Sequence, residues 1–100
     1  MKHITKADIV ERIALGTGIT KLETEAIVEG FITSIIEALK SGKSIEIRGF
    51  GSYSIRKKRG RMARNPKSGD KVFINEHFAP AFKFSREFKA IVADGMKDNL

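Results

Sequence analysis

The sequence predicts an α+β fold, and three observations predict it. Apolar residues recur at helical spacing through two N-terminal stretches; after Gly42 the apolar period drops to two; and a basic run from Arg56 onward has almost no apolar residues to pack with. The first makes helices, the second a small antiparallel sheet, and the third an element that must leave the core.

The first helix opens at Thr5, a suitable N-cap, with Asp8 at the third helical position where it suits both the capping box and the helix dipole. Ile9, Val10, Ile13 and Ala14 then form one apolar face, and Gly16-Thr17-Gly18 ends the helix. Thr20 and Glu23 in T-K-L-E form a second capping box. From there Ala26, Ile27, Gly30, Phe31, Ser34, Ile35 and Ala38 repeat at helical spacing, beside a stripe of Val28, Ile32, Ile36 and Leu39. So wide an apolar arc on a short helical pair calls for a second partner, most simply another copy of the chain. Lys40-Ser41-Gly42 supplies a cationic last turn and a glycine stop.

Ile45 and Ile47 alternate with Glu46 and Arg48, which makes a strand with one dry and one wet face. Gly49-Phe50-Gly51 is a turn, with Phe50 placed to plug the core, and Tyr53 and Ile55 mark a returning strand. Past Ile55 the strand loses its apolar alternation until Met62 and becomes an arm. Turn chemistry at Arg64-Asn65-Pro66-Lys67-Ser68-Gly69-Asp70 reverses the chain near Pro66 to Gly69, and Lys71 to Ile74 begins the return. Phe78, Pro80, Phe82 and Phe84 share one face of the strand that re-enters the body; core packing is expected of the phenylalanines, and an edge position of Pro80. Ser85 caps a last helix from Arg86 to about Val92, with Phe88, Ile91 and Val92 inward; the residues from Asp94 are expected to fray. One domain over 1–100 is thus expected: a helical base over 1–42, a sheet over 43–84 with its arm at about 56–74, a helix over 85–93 and a tail over 94–100.

Charge separates the arm from the rest. Between Arg56 and Lys71 lie eight basic residues against one acid, Asp70, a net of +7, and the whole chain is also +7. The body is therefore neutral, and the excess sits on one segment, which is the footprint of a polyanion-binding element. A hairpin of this kind follows a groove, where Arg and Lys neutralise phosphates and the narrow minor groove favours arginine. Proline at its tip has the chemistry of a rigid apolar wedge between base pairs, although a bare turn role is the simpler reading of a lone proline. A basic run is also compatible with solvated surface, or with a module that binds RNA or assembles proteins without bending DNA. No cluster of acids or histidines suits a metal or an activated water, so neither catalysis nor a cofactor is expected; His3 and His77 receive no role. Without cysteine the chain has no disulfide or zinc-thiolate site, and its N-terminus has no apolar run of signal-peptide or membrane-span length; the mature chain is expected to begin here, with no membrane partner.

Arg48-Gly49-Phe50-Gly51-Ser52-Tyr53, then Arg64-Asn65-Pro66-Lys67-Ser68-Gly69-Asp70, then Pro80-Ala81-Phe82-Lys83 resemble, in order and spacing, the bacterial HU and integration host factor family of histone-like DNA-bending proteins. The resemblance runs from about Ile4 to Ile91. It implies an intertwined dimer with a helical base, a three-stranded saddle from each subunit, and two arms that wrap the minor groove of double-stranded DNA in the bacterial cytoplasm, at the nucleoid. It makes Pro66 the intercalating residue and places Arg64 and Asn65 beside it in the minor groove. Arg56, Lys58, Arg59, Arg61, Lys67 and Lys71 would line the arm or its phosphate path, and Lys83 and Arg86 would hold DNA backbone on the saddle flank. Such proteins compact DNA and assist recombination, replication and transcription.

The stretch from Ile45 to Ser52, with Lys67 and Asp70-Lys71-Val72, is more similar to the integration host factor beta subunit. By that resemblance Glu46 and Arg48 lie near DNA and favour certain base steps; as bare residues they are ordinary surface on the wet face of a strand. HU-like members are usually homodimers with little sequence preference, and integration host factor is a site-recognising heterodimer, so both a homodimer and a heterodimer with a related subunit are open. Ala63 departs from the glycine usual before R-N-P: if that position has positive φ, alanine costs about 1 kcal/mol and alters the arm's bend. Ser85 and Arg86 replace the commoner glycine-lysine start of the last helix, with serine still a sound cap.

Overall fold

The computed structural model describes residues 2–100, which divide into two compact units, the first ending at Glu37 and the second running Ala38–Leu100. In the first unit α1 (Lys6–Thr17) and the greater part of α2 (Lys21–Lys40) follow their sequence signals. Thr5 and Asp8 form the expected box: the Asp8 N–H donates to Thr5 Oγ1 at 3.2 Å, and the Thr5 N–H donates to Asp8 Oδ2 at 2.9 Å. Accepting that backbone hydrogen bond holds the Asp8 carboxyl below its usual range. Its stabilisation of α1 is therefore present above the ordinary carboxylate pKa and lost as the pH falls through the lowered one. Gly18, at φ 79°, closes α1 by donating to the Ala14 carbonyl. The Glu23 N–H donates to Thr20 Oγ1 at 3.1 Å to start α2.

Of the apolar face foreseen on α1, only Val10 and Ala14 are buried. Ile9 and Ile13 stay exposed, as do Leu22, Ile27, Phe31, Ile32 and Ile36 on α2. Thr24 is the buried residue of α2, and its hydroxyl donates to the Thr20 carbonyl at 2.8 Å, so burial leaves no polar atom unpaired. Lys6 of α1 pairs with Glu29 of α2, which raises the Lys6 pKa.

The second unit begins with a glycine stop. Lys43 N–H donates to the Ala38 carbonyl at 3.0 Å and Gly42 N–H to the Leu39 carbonyl at 3.0 Å, with Gly42 at φ 80°, which is a Schellman ending. Three antiparallel strands follow in the order β1 (Ile45–Ile47), β2 (Gly51–Lys58), β5 (His77–Phe84), and between β2 and β5 the chain extends into a two-stranded ribbon of β3 (Arg61–Arg64) and β4 (Lys71–Ile74). The turn between β1 and β2 is type II: Phe50 N–H donates to the Ile47 carbonyl at 3.0 Å, and Gly49 alone of its residues has positive φ. It delivers Phe50 to an aromatic cluster in which ring centroids lie 5.4 Å apart for Phe50–Phe82, 5.5 Å for Phe50–Phe88, 4.6 Å for Tyr53–Phe82 and 4.7 Å for Phe84–Phe88. This is the core of the unit.

Pro80 lies on β5, an edge strand, where its missing N–H costs no ladder bond. Phe78 and Phe84 depart from the expected core packing: they share the face of Phe82 but are 70% and 46% exposed, Phe84 being covered only in part, by the rings of Phe82 and Phe88; Ile91 and Val92, expected to face inward with Phe88, are exposed as well. Ser85 caps α3 (Arg86–Met96) by accepting from the Phe88 N–H at 3.0 Å. The helix runs past the expected end near Val92, and a 3-10 turn (Lys97–Asn99) continues it in place of a frayed tail. Gly95 is not in the left-handed conformation that would stop the helix, and Lys97 pairs with Asp94 at 3.3 Å.

Gly51 marks the closest approach. A Cβ there would sit 2.5 Å from the Lys83 carbonyl oxygen and 2.5 Å from the Phe82 ring. Gly51→Ala is expected to lower unfolding stability by about 1–3 kcal/mol through overpacking, read by chemical denaturation. Gly95→Ala, with nothing within 4 Å, should instead be neutral or slightly stabilising, since alanine favours a helix.

Candidate nucleic-acid interface

Strand register sorts the second unit into two faces. Directly opposed residues share a face and successive residues alternate. The rows Ile45–Tyr53–Phe82 and Ile47–Gly51–Phe84 lie over the aromatic core. On the other side run Glu46–Ser52–Lys83, Ser54–Ala81, Arg56–Ala79 and Lys58–His77, a mostly polar surface on which the cations Lys83, Arg56 and Lys58 outnumber the one acid, Glu46. Beyond Lys58 and His77 the sheet pauses for two residues on each strand, Arg59-Gly60 and Asn75-Glu76, then resumes at Arg61–Ile74. Equal links preserve the alternation. Two contacts across the pause agree with it: Lys57 reaches Glu76 at 2.8 Å on the core-side parity, and on the opposite parity a Cβ at Gly60 would meet the Phe73 ring at 3.0 Å.

The cationic surface therefore continues out along the arm. Arg56, Lys58, Arg64 and Lys71 fall on the face that also carries Glu46 and Lys83, whereas Arg59 and Arg61 fall on the opposite one, beside Ala63, Val72 and Ile74. A uniformly basic arm thus resolves into two unlike faces. Met62 and Phe73, which sequence reasoning did not single out, stand directly opposed on the face of Arg64 and Lys71. Carrying the alternation of Arg56 and Lys58 through Gly60 to Met62 and Arg64 would have found them.

The tip is held by short polar contacts. Asn65 N–H donates to the Asp70 carbonyl at 2.8 Å, and Gly69 N–H to the Asn65 carbonyl at 2.8 Å. Asn65 Oδ1 accepts from Lys67 N–H at 2.8 Å, so the side chain closes the turn around Pro66, which has no N–H to offer. Arg64 Nη1 donates to the Gly69 carbonyl at 3.2 Å and leans on the turn, while Pro66 and Lys67 stay exposed. Gly69 supplies the positive φ, at 76°; Ala63 does not, since it sits in regular strand opposite Val72. The condition for strain at Ala63 is not met.

At the other end of the same surface, Glu46, Arg48, Ser52, Lys83, Arg86 and Lys89 border an open groove of about 610 Å³. Arg48, Lys83 and Arg86 line this one groove, with Lys89 from the next turn of α3 and with the acids Glu46 and Glu87 among them. Among the described residues, Lys57 is the arm cation held in an ion pair with an acid. Arg64 leans on the Gly69 carbonyl, and its side chain, like those of the other arm cations, remains exposed to water. No group of three or more His, Cys, Asp or Glu stands in ligating reach among the described residues, and no helix is long and apolar enough to cross a membrane.

Comparison with known proteins agrees with this geometry. The sequence model of the family described as Bacterial DNA-binding protein matches residues 4–93. The integration host factor subunit beta of Marinobacter nauticus is 40% identical over 94% of this chain and 97% of its own length, and the subunit alpha of Methylococcus capsulatus is 38% identical over 89% and 81%. The Anabaena HU–DNA cocrystal structure superposes with a TM-score of 0.81 at 33% identity, covering 90% of this chain and 98% of that one. A basic ribbon growing from a three-stranded sheet, matched over nearly the whole length, places the chain in the bacterial DNA-binding protein family, that of HU and integration host factor.

Proposed function

We propose that the chain works as a dimeric architectural protein of the bacterial nucleoid, in the cytoplasm, which binds double-stranded DNA along the minor groove with its arms and bends it by inserting Pro66. The single observation that carries this reading is the series of cations on one face, Lys83, Arg56, Lys58, Arg64 and Lys71, interrupted at Met62 and Phe73 and ending in an exposed proline on a turn braced by Asn65. Cations on that face release counterions as they meet phosphates, and the proline enters the base stack once the arm is seated. Asn65 and Arg64 flank the wedge in the groove, Lys67 lies next to it, and Arg59 and Arg61, on the far face, reach phosphates along the groove wall. Arg48, Lys83 and Arg86 hold DNA backbone on the sheet flank, where Glu46 stands beside them and biases the choice of base steps. The chain does no chemistry on the DNA; its output is a bend that compacts DNA and serves recombination, replication and transcription.

The helices support a dimer. A chain that leaves Leu22 80%, Ile27 61% and Ile36 51% exposed has a large apolar surface still to bury, and a second copy or a related subunit supplies the cover.

Two experiments test the reading. With Pro66→Ala, end-to-end energy transfer on a labelled duplex should show a much smaller bend at saturating protein, with the association rate nearly unchanged, because the wedge acts after electrostatic contact. Equal loss of both would refute intercalation. In sedimentation at micromolar concentration the purified chain should be a dimer, or should become one when a related subunit is added; a stable, well-folded monomer that ignores such a subunit would remove the two-armed mechanism.

A further inference from the structure

Met62 and Phe73 have no packing role that accounts for their exposure. Each is 58% exposed, on a ribbon too thin to have a core of its own. They are directly opposed, and a Cβ added at Gly60 would lie 3.0 Å from the Phe73 ring tip, so the ring reclines across glycine backbone toward the sheet. A side chain at Gly60 would push it aside. The result is a low apolar step on the face of Arg64 and Lys71, with Arg56 and Lys58 following on the sheet side.

Flanking cations fix what can cover this step: Arg64 and Lys71 stand two residues away toward the tip, and Lys58 stands four residues from Met62 toward the sheet. Two residues of strand span about 7 Å and four about 13 Å, so the apolar pair lies between cations on one face. A protein partner with a plain apolar patch would have to strip water from those cations without replacing it. A minor-groove wall does not, because it sets apolar sugar edges between phosphates. Resting on the duplex-binding reading above, we propose that Met62 and Phe73 pack against deoxyribose in the groove wall, that this face of the arm is the one turned into the groove, and that the contact selects DNA over RNA. A 2′-hydroxyl in that position would bury a polar group against a thioether and a phenyl ring, neither of which can partner it.

An apolar contact releases no counterions, so its signature differs from that of the cations. Met62→Ser and Phe73→Thr should each weaken binding to a duplex of about 40 base pairs on the order of three- to tenfold with the slope of log affinity against log salt unchanged. Phe73→Leu, which keeps an apolar side chain, should restore most of the loss, and Val72→Thr on the opposite face should bind as the parent does. Ribonucleotides placed within the arm's footprint should weaken the parent protein more than they weaken Phe73→Thr. Parent-like affinity for both polar variants, a changed salt slope, or an equal loss from Val72→Thr would each overturn the proposal while leaving duplex binding intact. Failure of the parent protein to bind the duplex would sink the duplex-binding reading and this assignment with it.

Discussion

Mutual repulsion along the ribbon is the constraint on which the rest of the second unit depends. Eight cations in sixteen positions cannot be taken out of water together, and at close range in water each like pair costs about 1 kcal/mol, falling off over roughly 8–10 Å in physiological salt. The arm must stay thin and wet, so it contributes little to holding itself in place. Its direction is set at the base, where Gly51 lets β2 pass within contact of the Lys83 backbone and Phe82 ring, and Phe50, Tyr53, Phe84 and Phe88 close around them. The Lys57–Glu76 pair stands where the sheet hands over to the ribbon. Exposed on both sides, it adds little stability in itself. It ties one cation to the body at the point where repulsion begins.

The legible part of the fold was the part written in local chemistry. Thr5 with Asp8, Thr20, Gly42, Gly49 and Ser85 each solve a problem of unpaired backbone groups within a few residues, so their roles could be read from neighbours in the sequence. The tip was legible for the same reason. Phe78 was not: period-2 alternation says which face a residue is on but not how far along that face the covering helix extends. Nor was the end of α3, because Gly95 stops a helix only in the left-handed conformation, and here it stays helical.

The candidate DNA-binding face was half legible. Composition located the charge, and the family resemblance set Arg64 beside the tip and Arg61 along the arm, yet neither said that the two lie on opposite faces. That distinction depends on register across the pause at Arg59-Gly60 and Asn75-Glu76, a property of two strands at once. It is also where Met62 and Phe73 emerge, since a residue that looks like filler in a basic run becomes one of a pair when its partner across the ribbon is known. The helices present a similar case: their apolar arcs were plain in the sequence, but that Val10 and Ala14 alone are buried on α1 shows how much of each arc a single copy leaves uncovered.

Every role proposed for the arm requires that its face meet phosphate. The most direct test is a titration of the unmodified protein against a short duplex at several salt concentrations. Several cations released onto phosphates would give log affinity falling linearly and steeply with log salt, by about 0.9 for each phosphate neutralised. Affinity that barely moves with salt, or no binding to duplex at low salt, would contradict it.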